Sequence, residues 1–175
     1  MLKISYYIEK QLFNILRFFF HAIFLNFIFL NFSDMTVNQI LSTKGKDVFS
    51  VLPSTTVYEA LKVMGEKNIG AILVIEEAEL KGILSERDYA RKIVLKDKSS
   101  KETLVREIME SNVFTIKPSD NIDTCMELMS TKRIRHLPVI EEGIVIGIIS
   151  ISDVVKAIIE IQKDTINHLN SYISQ

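Results

Sequence analysis

Gly82-Ile-Leu-Ser-Glu-Arg-Asp88 decides the fold, because the chain contains it twice. Aliphatic residues after a glycine read as the end of a buried strand. Ser85 then stands where a helix N-cap belongs, with Asp88 three residues on. In such a capping box the hydroxyl satisfies an orphan backbone N–H and the carboxylate favours the positive end of the helix. A single copy would be a well-capped strand-to-helix corner and no more. The second copy, Gly147-Ile-Ile-Ser-Ile-Ser-Asp153, keeps glycine, serine and aspartate at the same internal spacing. Subtracting 82 from 147, 85 from 150 and 88 from 153 gives 65 each time.

Working outward, the same offset pairs Pro53 with Pro118, Val57 with Ile122, Met64 with Met129, Ile69 with Ile134 and Val74 with Val139. No gap is needed from Asp47 to about Val94. Further back, Val37-Asn-Gln-Ile-Leu resembles Val105-Arg-Glu-Ile-Met at an offset of 68, so the first copy carries three extra residues near Thr43-Lys44-Gly45. A repeat of this length is one supersecondary block with an exposed face that its neighbour must cover.

Each unit reads as β-α-β-β-α after a short lead-in helix. In the first, residues 37–41 form the lead-in and 47–52 a strand closed by Pro53. Thr56-Val-Tyr-Glu59 is a second capping box, opening a helix with Val57, Ala60, Leu61 and Met64 on one face. Residues 71–75 and 80–84 make a hairpin, and Ser85 caps a helix from Glu86 to about Leu95. In the second unit the lead-in spans 105–109, the strand 113–116, the helix 122–131, and the hairpin 137–149 turns at Glu142-Gly143. The last helix starts at Ser152 and runs on through Ile158, Ile161, Thr165 and Leu169, its extra apolar residues suited to the other unit or a second subunit. Residues 96–102 are a polar linker. The expected division is 1–34 as a hydrophobic extension, 35–98 and 99–160 as the repeats, and 161–175 as a C-terminal helix or tail. A unit of about 60 residues is marginal for an independent core. Pairing the units through their sheets is the natural remedy, and it places both Ser-x-x-Asp corners at clefts between them.

Composition excludes several classes. The 175 residues are 47% apolar and 25% charged, as in ordinary globular proteins. A net charge of −1 supplies no field for nucleic acid or an anionic membrane. The single cysteine, Cys125, rules out an intramolecular disulfide and fits a reducing, cytoplasmic setting. It matches Ala60 on the apolar side of a helix, so it reads as a small core residue. Residues 1–34 differ, holding eight of the ten phenylalanines. Residues 12–32 are long enough for a bilayer, which takes about 20 residues. Arg17, His21 and three asparagines interrupt them. The favoured reading is a leader outside the native fold, with Met35 opening the first repeat; a membrane anchor and a partner-binding helix are the alternatives.

A carboxylate at a helix start in a cleft suits the paired hydroxyls of ribose. Capping hydroxyls and helix N-termini suit phosphate. In the second unit Lys132-Arg-Ile-Arg-His136 precedes the hairpin, and Arg135 and His136 are placed to meet phosphate oxygens. Lys132 and Arg133 read as a solvated helix C-terminus. The first unit has Gly70 and Ala71 at the matching positions, so its cleft is chemically unequal.

The repeat, the paired corners and Arg135-His-Leu-Pro-Val139 resemble a tandem pair of CBS domains, over roughly residues 35–159. The resemblance implies an α/β disc, a Bateman module, with two β-α-β-β-α repeats packed through their sheets about a pseudo-two-fold axis. It implies binding of an adenosine-containing ligand such as AMP, ADP, ATP, NAD or S-adenosylmethionine. Carried over, Asp88 and Asp153 hold ribose, and Ser85 and Ser150 meet ribose or phosphate. Ser50, Val51, Thr115 and Ile116 line the base pocket, and Arg135 and His136 contact phosphate. Arg87 partly compensates in the first unit. No P-loop, zinc motif or Ser-His-Asp set accompanies the repeats, so the expectation is a stand-alone, non-catalytic sensor with no required cofactor or metal. It would act as a homodimer or through a separate regulated protein. The alternatives are a structural scaffold with vestigial clefts and a membrane-tethered regulatory subunit.

Overall fold

The computed structural model describes residues 35–173. The leader and anchor readings of residues 1–34 lie outside them. The elements are α1 (Val37–Lys44), β1 (Ser50–Val51), α2 (Val57–Lys67), β2 (Ala71–Glu76), β3 (Glu79–Ser85) and α3 (Glu86–Lys92), then α4 (Ile122–Lys132), β4 (His136–Glu141), β5 (Ile144–Ser150) and α5 (Ile151–Ile173). Helical turns of the 3₁₀ type occupy Val94–Lys96 and Val105–Glu107. The first sheet runs β1-β2-β3, with β1 parallel to β2 and the β2–β3 hairpin antiparallel. The second is the β4–β5 hairpin. Both hairpins turn through two residues of positive φ, Glu77 and Ala78 in one and Glu142 and Gly143 in the other, the backbone twist that two-residue hairpins favour.

The α/β repeat architecture is as expected, and the differences are local. The first strand shrinks to Ser50–Val51, and 113–116 to one parallel bridge between Ile116 and Val139. Chemistry accounts for the second loss. Leu73 donates its N–H to the Phe49 carbonyl at 3.3 Å. The matching residue is Pro138, which has no N–H to give. The lead-in at 105–109 is a 3₁₀ turn rather than a helix, because Glu110 already pairs with Ile83 through two backbone hydrogen bonds. The helix expected to reach Leu95 breaks after Lys92, where Ile93 turns into the core. The last helix is 23 residues long.

The lead-ins are exchanged. Val37, Ile40 and Leu41 of α1 pack into the second unit's core, around Ile122, Cys125, Met129, Leu137 and Ile149. Val105 and Ile108 complete the first unit's core, with Val57, Met64, Ile72 and Leu84. The backbone repeats the exchange symmetrically. Val37 donates to the Asp120 carbonyl at 2.8 Å and Val105 to that of Thr55 at 2.8 Å; Asn38 donates to Pro118 and Arg106 to Pro53. This also gives the repeat glycines a purpose the sequence did not reveal. They are not strand ends but crossing points. A Cβ at Gly147 would lie 2.7 Å from Leu41 Cδ2, and one at Gly82 2.7 Å from Met109 Sδ and 3.0 Å from the Glu110 carbonyl.

Candidate functional site

Both Ser-x-x-Asp corners form as capping boxes. Asp88 Oδ2 accepts from Ser85 N at 3.1 Å and Ser85 Oγ at 2.5 Å, and Ser85 Oγ accepts from Asp88 N. Asp153 Oδ2 accepts from Ser150 N at 2.8 Å and Ser150 Oγ at 2.7 Å. One carboxylate oxygen is thus committed to holding each helix start. The corners differ in their cations. Asp88 Oδ1 lies 3.1 Å from Nζ of Lys92, one turn along its own helix, and the same ammonium donates to the Ile108 carbonyl at 2.7 Å. Asp153 Oδ2 takes a 2.7 Å ion pair from Lys44, the last residue of the exchanged α1. Burial alone would raise the pKa of Asp153, but the hydrogen bonds from Lys44 and Ser150 outweigh it and hold the carboxyl below its ordinary range.

His136 opens β4 opposite Ser150 in the ladder. Burial, with Lys44 and Arg135 nearby, lowers its pKa against the pull of Asp153 and favours the neutral ring. A Cβ on Gly70 would lie 3.9 Å from His136 Cε1, placing the ring at the junction of the units. Cys125 is fully buried, and burial with the Asp120 charge raises its thiol to about 11.

Two clefts bear on the site, of which only the smaller is lined by neighbours of the corners. The larger, about 710 Å³, is bounded by Thr115, Ile116, Pro118, Asp120 and Glu141, with Thr36 from the exchanged lead-in. The smaller, about 450 Å³, runs between α3 of the first unit and α4 of the second, with Arg87, Arg91, Arg133 and Arg135 along it. The sequence-derived residues therefore divide. Thr115 and Ile116 face the larger cleft, while Arg87 and Arg135 face the smaller. Ser150, Asp153 and His136 gather at one corner and Ser85 with Asp88 at the other. Ser50 is exposed on β1, and Val51 packs on the first core. Neither aspartate lines either cleft. Lys44 escaped the sequence reading, although the three extra residues beside it were its signal. Arg91, one helical turn beyond Arg87, was also missed, and Arg133 had been assigned to the helix end alone. Arg133 does cap α4, with φ of 55°, and Lys132 lies 5.0 Å over the Phe114 ring.

A tandem of capped strand-to-helix corners, joined by exchanged lead-ins, defines a paired-repeat module with no catalytic constellation among the residues described above. Residues 37–95 and 105–160 each match the CBS domain, and the chain belongs to the CBS-domain proteins. It is 38% identical over 151 residues to the mitochondrial CBS domain-containing protein CBSX3 of Arabidopsis thaliana, covering 81% of this chain and 73% of that one. A protein with CBS domains from Burkholderia ambifaria superposes with a TM-score of 0.71 at 49% identity, covering 72% of this chain and 95% of its own. The CBS domain pair of MJ0100, solved with 5′-methylthioadenosine and S-adenosyl-L-methionine, superposes with a TM-score of 0.63 at 26% identity over 70% of this chain and 94% of that chain. Among the described residues no helix is long and apolar enough to cross a membrane.

Proposed function

We propose that the chain is a non-catalytic regulatory module that senses an adenosine-containing ligand of the AMP, ADP, ATP or NAD type. Asp88 and Asp153 take ribose and Ser85 and Ser150 the adjoining oxygens. Ser50, Val51, Thr115 and Ile116 flank the base, and Arg135, His136 and Arg87 meet phosphate. The observation that carries this reading is the division of labour at Asp153. Oδ2 holds the helix start and Lys44, while Oδ1 makes no hydrogen bond among the described residues. An oriented, half-buried carboxylate with a free oxygen is what a ribose hydroxyl requires. The adenosine ligands of the MJ0100 pair point the same way. Output would pass through a homodimer, for which α5 offers exposed Val155, Ile159, Ile166 and Leu169, or through a regulated partner, with the ligand shifting the relative orientation of the units.

A ligand that binds only the folded chain raises its melting temperature. The expected result is a higher Tm with millimolar AMP or NAD, reduced by Asp153→Ala. Calorimetry that registers no heat with any adenine nucleotide at millimolar concentration would overturn the proposal. A second reading, a scaffold with vestigial clefts, draws on the lysines that already occupy both carboxylates. Unchanged dimer mass after replacing both aspartates, with no ligand signal, would favour it.

A further inference from the structure

We propose that two copies of this chain pair head to tail, the first repeat of each seated on the second repeat of the other. This rests on the homodimer reading above and fixes which faces meet; it does not depend on the ligand. One contact surface is the corner after α3. Val94 and Leu95 are 56% and 78% exposed there, in the 3₁₀ turn Val94–Lys96, with Lys96 and Lys98 exposed beside them. The other is the solvent face of α4, where Asp123, Met126, Glu127 and Ser130 recur at helical spacing and are all exposed. Among the described residues neither the two lysines nor the two carboxylates form an ion pair. The surfaces are complementary, apolar at both centres, with cations at one rim and carboxylates at the other.

Charge decides between the two ways in which identical paired repeats can close a two-fold dimer. Head to head, each corner meets its own copy, lysines against lysines, and α4 brings Asp123 and Glu127 against their equals, which is costly. Head to tail, the same favourable contact is made twice. The repeats as wholes lean the same way. Residues 35–98 hold ten Lys and Arg against nine Asp and Glu, whereas residues 99–175 hold eight against eleven. Shape agrees. α3 ends at Lys92, but the matching helix α5 runs on to Ile173, with Val155, Ile159, Ile166 and Leu169 exposed along one side. Because α5 packs beside α4, its stripe extends the second surface. Head to tail, each extension lies over the partner's first repeat, where the shorter α3 leaves Val94 and Leu95 uncovered.

Sedimentation equilibrium of the full chain, with disulfide trapping, tests it. Cys125 is fully buried, so an introduced surface cysteine is the reactive one. Leu95→Cys mixed with Ser130→Cys under mild oxidation is expected to give a mixed disulfide dimer, and neither variant alone a bridged one. Both positions are exposed, so the trapping variants keep the fold. Lys96→Glu with Lys98→Glu should weaken dimerisation about tenfold or more, as should Asp123→Lys with Glu127→Lys. All four changes in one chain should restore it. In a head-to-head pair, reversing either set leaves like facing like, so affinity would not fall. Parent-like dimerisation in both charge variants, or Leu95→Cys bridging to itself, would overturn the arrangement while leaving a homodimer. A monomer at every concentration would overturn both, whatever AMP and NAD do to the melting temperature.

Discussion

The two halves of the molecule solve one problem from opposite ends. In each, the helix-start aspartate is tied by a lysine to the lead-in donated by the other half. In the first half that lysine is Lys92, on the aspartate's own helix, reaching to the Ile108 carbonyl. The matching position in the second half is Ala157, buried in the core, so the cation comes instead from the lead-in, as Lys44. Three additional residues in the first copy lengthen α1 to eight residues and bring Lys44 within reach. The corner serine and aspartate are the same in both copies, so what differs is only the element that supplies the cation, and the exchange of lead-ins is kept with either source.

Separating the halves breaks the comparison most severely. Residues 35–98 alone lack Val105 and Ile108, and residues 99–175 lack Val37, Ile40 and Leu41, so neither closes its core. Each fragment is expected to show no cooperative thermal transition by circular dichroism, and an equimolar mixture to recover one. Two fragments that each melt cooperatively alone would show the exchange to be incidental.

Next in size is the crossing of Leu41 over Gly147. Leu41 is fully buried, so Leu41→Ala should cost about 2–5 kcal/mol. Gly147→Ala should cost about 1–3 kcal/mol through overpacking, because the group 2.7 Å from the new methyl is a fixed core side chain. Together they should cost less than the sum, since the smaller residue removes the clash. Urea denaturation of the four proteins measures this. Strict additivity would mean that the residues do not meet.

The repeat, its element order and both capping boxes could be read from the sequence because each is a local pattern at fixed spacing. What could not be read depends on distant partners. Gly82 and Gly147 look like strand punctuation until the opposite lead-in is seen pressed against them. The strand at 113–116 is apolar enough, yet its length is decided by the missing N–H of Pro138, on the far side of α4 in sequence. The candidate site shows the same divide. Ser85, Asp88, Ser150 and Asp153 were placed from spacing alone, whereas Lys44 reaches Asp153 across 109 residues and Arg91 shares a cleft with Arg133 only in the folded chain.

Lys44→Ala sharpens the contrast between the corners at a smaller scale. The pair is partly exposed, with side chains 29% and 17% accessible, so its loss should cost about 1 kcal/mol or less at neutral pH. The clearer signal is in acid. Because the folded Asp153 carboxyl is held below its ordinary value, its contribution is fully present above the unfolded pKa, about 3.9, and is lost as pH falls through the folded value. Removing Lys44 should therefore shrink the loss of stability below about pH 4 relative to the parent chain. An unchanged acid limb would show that Ser150 alone sets that carboxyl.

The smallest effect belongs to His136, whose counterpart in the first half is the untitratable Ala71. Its folded pKa is lowered, chiefly by burial. The neutral ring therefore contributes stability that is complete above the unfolded value near 6.5 and is lost as pH falls through the folded one. His136→Ala, which copies the first half, should flatten the stability profile just below about pH 6.5 while leaving the limb below about pH 4 intact. The proposed phosphate contact at this ring can be tested through its pH dependence. A phosphate that engages the ring by charge favours its protonated form, so affinity should rise as pH falls from about 7 towards 6, and the rise should vanish in His136→Ala. Affinity that is flat with pH in the parent chain would show that phosphate draws no proton onto the ring and would leave the positive charge to the arginines.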